Sequence, residues 1–73
     1  MQMAEEVRAE MVANVWKVLV KVGDQVDEGT ELVTLESMKM EIPVMSEGSG
    51  VVKEIAVDEG DVIQGGDLIA VIE

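Results

Sequence analysis

Residues 35–42 read LESMKMEI and hold the side chain in this sequence best suited to covalent chemistry. Lys39 is one of only five basic residues among 73. It stands between Met38 and Met40, with carboxylates beyond them at Glu36 and Glu41. A lysine amine is a nucleophile on a long flexible stem, fit to be acylated and to carry a cargo. Little else offers reactive chemistry. The chain has no Cys and no His. Thiol nucleophiles, thiolate or imidazole metal sites, disulfides and histidine acid–base catalysis are therefore excluded. The carboxylate pairs Glu5-Glu6 and Asp27-Glu28 are adjacent in sequence and loop-like, and they read as surface.

Two readings of Met-Lys-Met compete. If the segment alternates like a strand, both methionines face away from Lys39 and pack in the core. Lys39 is then merely the outward residue between them. The other reading is an exposed turn that presents the amine to an enzyme, with the methionines as its flanks. Where the segment falls in the chain bears on this choice.

Placing residues 44–73 over residues 7–36 without a gap, an offset of 37, gives eight identities in thirty positions. Val-to-Val matches carry little weight in so Val-rich a chain. The matches Gly23-Asp24 with Gly60-Asp61, and Gly29 with Gly66, carry more. Apolar character is also kept at Val18/Ile55, Val26/Ile63, Leu32/Ile69 and Leu35/Ile72. Ser37 to Pro43 join the two halves. A two-fold repeat places its junction at an end of the molecule, where a turn projects, and Lys39 lies inside that junction.

The runs VWKVLVKV, ELVTLE, EIPVM, VVKEIAV and DLIAVIE are rich in Val, Ile, Leu and Thr and are bounded by Gly, Asp or Ser, so they predict short strands. GDQVDEG and GDVIQGG predict loops whose glycines supply positive φ or a bulge. Val7, Met11, Val15, Val18 and Val22 also fit a helical spacing. The repeat decides against a helix, because the matching stretch VMSEGSGVVKE carries Gly48 and Gly50. An all-β sandwich or barrel follows. Pro43 suits the start of an edge strand, and Trp16, the lone aromatic, suits a half-exposed apolar anchor.

The totals bound the function. A chain of 73 residues makes one small domain, and domains near this size bury only about 60% of their unfolded surface. The first four residues are expected to be flexible, and the doubled Met suggests that Met1-Gln2 precede an initiator at Met3. The net charge of −11 repels phosphate backbones and anionic membranes. No apolar run approaches the roughly 20 residues of a membrane span. MQMAEEVRAE shows no apolar signal region, so a cytoplasmic location is expected. The charge first favours solubility, with a monomer expected. It would also steer the domain toward basic docking faces.

ESMKMEIPV followed by GSGVVKEIAVDEGDVIQGGDLIAVIE resembles the biotinyl/lipoyl attachment family, in its biotinyl branch. The likeness runs from about Val7 to Glu73 and includes the paired loops Gly23, Asp24, Val26, Gly29 and Gly60, Asp61, Ile63, Gly66. Met-Lys-Met is its most specific part. Biotinyl domains mostly read Ala-Met-Lys-Met, where this chain has Ser37. Lipoyl domains tend to read Asp-Lys-Ala instead. Glu10 and Ala13 stand where members often have the Pro and Gly of the first strand, although Gly50 keeps the Gly in the second half. No protruding segment beside the hairpin is present, and the chain looks more like the small free-standing biotinylated proteins of bacteria than a carboxylase fragment.

The resemblance implies a flattened β-barrel of two four-stranded antiparallel sheets with pseudo-two-fold symmetry and the lysine on an exposed hairpin. It implies a carrier rather than an enzyme, with biotin in amide linkage to Lys39. A biotin protein ligase would form biotinyl-adenylate for the amine to attack. The carrier would then serve a biotin carboxylase and a carboxyltransferase, moving carboxybiotin between their sites. Met38 and Met40 are the motif's flanks, acting in recognition or in packing. Glu36 is a candidate ligase contact, against the plainer reading of a solvated strand-end carboxylate. A lipoyl-type acyl carrier and an unmodified binding or scaffold domain are the alternatives.

Overall fold

The computed structural model describes residues 4–73, so the flexibility expected of the first four residues falls, for residues 1–3, outside the described part. Eight strands follow in order: β1 (Glu5–Arg8), β2 (Ala13–Val18), β3 (Gln25–Val26), β4 (Glu31–Ser37), β5 (Met40–Met45), β6 (Gly50–Ile55), β7 (Val62–Ile63) and β8 (Leu68–Ile72). No helix occurs among the described residues, and the stretch with helical spacing forms β1 and β2. VWKVLVKV is strand only as far as Val18; Leu19 N–H still donates to Leu32 C=O at 2.9 Å, and the chain then turns at Val22–Gly23.

The strands form two antiparallel four-stranded sheets, in the orders β1-β8-β6-β3 and β5-β4-β2-β7. The 37-residue offset carries β1 onto β5, β2 onto β6, β3 onto β7 and β4 onto β8, so it carries one sheet onto the other. Each sheet therefore mixes strands from both halves. Backbone bonds interlock them in matched pairs. Gly23 N–H donates to Val52 C=O as Gly60 N–H donates to Val15 C=O, both at 2.8 Å. Val52 N–H donates to Asp24 C=O at 2.9 Å as Val15 N–H donates to Asp61 C=O at 2.8 Å.

The repeat also explains the Gly-Asp pairs. Gly23 and Gly60 have φ of 97° and 94°, at the third position of turns closed by Asp24 N–H to Lys21 C=O and by Asp61 N–H to Asp58 C=O. That position needs left-handed backbone, which glycine adopts without a Cβ penalty. The aspartates return the bond: Asp24 Oδ2 accepts from Lys21 N–H at 3.0 Å, and Asp61 Oδ2 accepts from Asp58 N–H at 2.8 Å. The sequence explained the glycine of each pair but not the aspartate.

The apolar pairs of the repeat make the core. Val15 with Val52, Val26 with Ile63, Leu32 with Ile69, and Leu35 with Ile72 are all buried between the sheets. Burying such side chains stabilises the fold by about 1.5–3 kcal/mol each, which a small domain without disulfides needs. Pro43 is the fourth residue of β5 rather than its first. β5 is an edge strand paired only with β4, so the missing N–H costs no ladder bond.

Gly50 and Ala13 occupy equivalent positions but differ in freedom. A Cβ on Gly50 would lie 2.8 Å from the Glu73 carbonyl oxygen and 2.9 Å from Ile72 Cγ2. Ala13 accommodates its methyl in the core. The departure from the family pattern at the first position is thus absorbed, and the glycine that remains is required by close approach.

Candidate functional site

β4 and β5 form the longest hairpin of the molecule, with Ser37 opposite Met40 at its end. Only Met38 and Lys39 lie between them. Their φ angles are 54° and 64°, the only positive values among the described non-glycine residues. A two-residue hairpin turn of the kind that follows strand twist needs positive φ at both central residues, a demand usually met by Asn-Gly. Here Met and Lys meet it, at a conformational cost of order 1–3 kcal/mol each.

This turn corrects the core reading of the methionines. Alternation ends at Ser37, because neither central residue follows the pleat. Met38 is 91% exposed and Met40 62% exposed. Neither belongs to the core cluster, whose last member on β4 is Leu35. Lys39 is exposed with them. The single ion pair among the described residues joins Arg8 Nη2 to Glu6 Oε1 at 3.0 Å, so no described carboxylate holds the Lys39 amine.

Glu36 lies on β4 in the second rung below the turn, directly opposite Glu41 on β5, and both are exposed. Asn14 of β2 faces Glu36 from the other side. The tip thus combines a free amine, two bare thioethers and a pair of facing carboxylates. The paired carboxylates and the left-handed turn escaped the reading of the sequence. The strand-like runs ELVTLE and EIPVM leave four residues between them, Ser37 to Met40, and only the pairing of Ser37 with Met40 cuts the turn to two and fixes which residues face each other.

The other basic residues are placed differently. Arg8 Nη1 donates to Gly66 C=O at 2.9 Å. Lys17 Nζ sits 4.9 Å from the centroid of Trp16, which is half exposed as expected. Lys53 is on strand β6, and Lys21 is held in the first glycine loop by its backbone bonds with Asp24.

Two depressions mark the surface. One, of about 430 Å³, runs between the edge strands of the two sheets and is lined by β1 together with Leu35, Ile42, Pro43, Val44 and Met45. The other, of about 300 Å³, lies beside β7. Lys39, Met38, Met40 and Glu36 line neither. Among the described residues no three acidic side chains cluster as a metal site. The reactive group stands on a projection outside both depressions. That geometry suits a residue inserted into another protein's active site.

A projecting lysine whose amine no described residue pairs also fits covalent attachment of a carboxylic acid cofactor. An amide there would consume no hydrogen bond of the fold and displace no packed side chain.

Comparisons with known proteins agree with this arrangement. A family model for biotin/lipoyl attachment, described as "Biotin-requiring enzyme", matches residues 2–72. The chain is 61% identical over 70 residues to a protein of Mycobacterium leprae called "Biotinylated protein TB7.3 homolog", covering 96% of this chain and 99% of that one. It is 51% identical over 63 residues to the "Biotin/lipoyl attachment protein" of Bacillus subtilis, covering 86% of each. Among solved structures it resembles the Kluyveromyces lactis urea carboxylase, with a TM-score of 0.91 and 37% identity. That match covers 100% of this chain but only 6% of the carboxylase.

Proposed function

Since the chain belongs to the biotin/lipoyl attachment family, we propose that it is a biotin carrier, a non-catalytic module biotinylated on Lys39 by a biotin protein ligase. The observation that carries this reading is the Lys39 amine, exposed on a two-residue turn at the end of the β4–β5 hairpin and held by no described ion pair. The relatives called biotinylated and the fold shared with part of a carboxylase support it.

In the attachment step the unprotonated Lys39 amine attacks the activated carboxyl carbon presented by the ligase. The C–N bond forms, the activating group leaves with its electron pair, and the amine gives up a proton. The strained turn holds the lysine stem clear of the sheets, so the amine reaches into a partner without unfolding any strand. Met38 and Met40 offer apolar contacts on either side of it, and Glu36 offers a carboxylate to a basic ligase residue. Once attached, biotin supplies the carboxyl-transfer chemistry. The protein then supplies reach, solubility and a surface read by the carboxylase partners. We place this work in the cytoplasm, where the ligase finds ATP and free biotin, and we assign the partner enzymes as a biotin carboxylase and a carboxyltransferase.

The test is intact mass of the chain co-expressed with a biotin ligase in the presence of biotin, beside Lys39→Ala. One biotin adduct on the wild type and none on the variant is the expected result. An unmodified wild type overturns the carrier reading, and a lipoyl adduct under matched conditions moves the chain to the lipoyl branch.

A further inference from the structure

Four of the six methionines are described, and they form a graded series of exposure. Met11 and Met45 are 45% and 50% exposed, both lining the groove between the sheet edges. Met40 is 62% exposed and Met38 is 91% exposed. The two most exposed thioethers among the described residues are therefore the two joined directly to Lys39, with Met38, on its N-terminal side, the more exposed. Exposure governs how readily a thioether meets a peroxide, and oxidation converts a flexible apolar side chain into a polar, chiral one. The chain has no Cys to intercept the oxidant.

We propose that Met38 is a hydroperoxide-sensitive modification site, and that its sulfoxide closes the unmodified hairpin to the ligase. This rests on the reading of Lys39 as the biotinylated residue. The sulfur's electron pair attacks the terminal oxygen of the hydroperoxide. The S–O bond forms as the O–O bond breaks. Sulfur is oxidised by two electrons, and the peroxide is reduced to an alcohol or, for hydrogen peroxide, to water. The proton on the transferred oxygen passes to the departing one. Reversal needs a sulfoxide reductase and two thiol equivalents, which leave as a disulfide and water.

The structure explains why the effect falls on recognition and not on folding. Met38 contributes nothing to the core cluster, whose members lie between the sheets. Oxidation there leaves every ladder bond and buried side chain in place. A ligase that seats the Lys39 amine must cover the residue beside it. It would then bury a strong sulfoxide acceptor where an apolar thioether had fitted, a penalty unless a donor is supplied. Met40 lies across the turn and is the second target.

The experiment uses the full, unbiotinylated chain exposed to graded hydrogen peroxide. Peptide mapping gives the order of oxidation, circular dichroism reports the fold, and the initial rate of biotinylation is measured with ligase, ATP and biotin. Met38 is expected to oxidise first among the four described methionines. The rate should fall about tenfold or more with the fold unchanged. It should recover after treatment with reductases for both sulfoxide epimers plus a thiol. In Met11→Leu/Met45→Leu the loss should persist. In Met38→Leu/Met40→Leu the ratio of treated to untreated rate should stay near one.

Earlier oxidation of Met11 or Met45, or an unchanged rate on chains carrying the Met38 sulfoxide, overturns the proposal. So does a rate loss that tracks loss of the fold. Absence of biotinylation on the untreated chain overturns the carrier reading itself, which the untreated arm reports separately.

Discussion

Glu36 and Glu41 face each other directly across the β4–β5 ladder, in the second rung below the turn that carries Lys39. Two like charges so placed destabilise a sheet pair, and neither glutamate has a described ion-pair partner. The pair is exposed, so solvent screening keeps the penalty small.

Glu41→Gln should therefore raise stability by about 0.2–0.5 kcal/mol at low salt. Urea melts at low salt and in 1 M NaCl check this, because the gain should vanish when the Debye length falls to roughly 3 Å. A gain that survives high salt would mean that something other than charge is relieved. Glu36→Gln should give a similar gain but also slow the ligase, if Glu36 meets a basic residue there.

The left-handed turn predicts opposite effects on stability and function. Asn tolerates the conformation that Met38 adopts at φ 54° better than Met does. Met38→Asn should raise the unfolding free energy by up to about 1 kcal/mol, while lowering the rate of biotinylation through loss of an apolar contact. Thermal melts and ligase kinetics on the same preparation test both halves. A variant that is stabilised yet modified at the wild-type rate would show that Met38 is not read by the ligase.

The equivalent positions Gly50 and Ala13 should respond differently to exchange. Gly50→Ala drives a methyl to 2.8 Å from the Glu73 carbonyl and should cost about 1–3 kcal/mol. Ala13→Gly loses a buried methyl and adds backbone freedom, at a cost of about 0.5–1 kcal/mol. Denaturant titration of the two variants gives the comparison. Equal losses would mean that β6 shifts to admit the methyl.

Leu35 and Lys39, four residues apart, should separate stability from function. Leu35 is buried against the core. Leu35→Ala should cost roughly 2–5 kcal/mol, enough to unfold a domain of this size. Lys39→Ala keeps the same backbone strain and removes only an exposed stem, so stability should stay within about ±0.5 kcal/mol. A large loss on Lys39→Ala would give the lysine a structural role.

Much of this architecture was legible in the sequence because the repeat constrains it twice. Gly23, Gly29, Gly60 and Gly66 all adopt positive φ, one of the two roles the loop reading gave them, although the stretches read as loops also hold the short strands β3 and β7. The apolar pairs shared by the two halves are the buried pairs of the sandwich. Short-range pattern suffices there, because a glycine's freedom and a side chain's hydrophobicity are local properties. The helical spacing of Val7 to Val22 was correctly set aside for the same reason: its partner segment could not share that shape.

The sequence by itself determined that the domain is all-β, that it is built of two matched halves, and that Lys39 lies where they join. Those conclusions need only residue type and spacing. Tertiary structure decided what surrounds the lysine. Strand pairing brought Ser37 opposite Met40 and left two residues to reverse the chain, which forced Met38 and Lys39 into left-handed backbone. That geometry ended the alternation that would have buried the methionines, and it set Glu36 against Glu41. A side chain's face depends on the register of its strand and the size of its turn. Both are fixed by the partner strand, so the segment LESMKMEI could not reveal them alone.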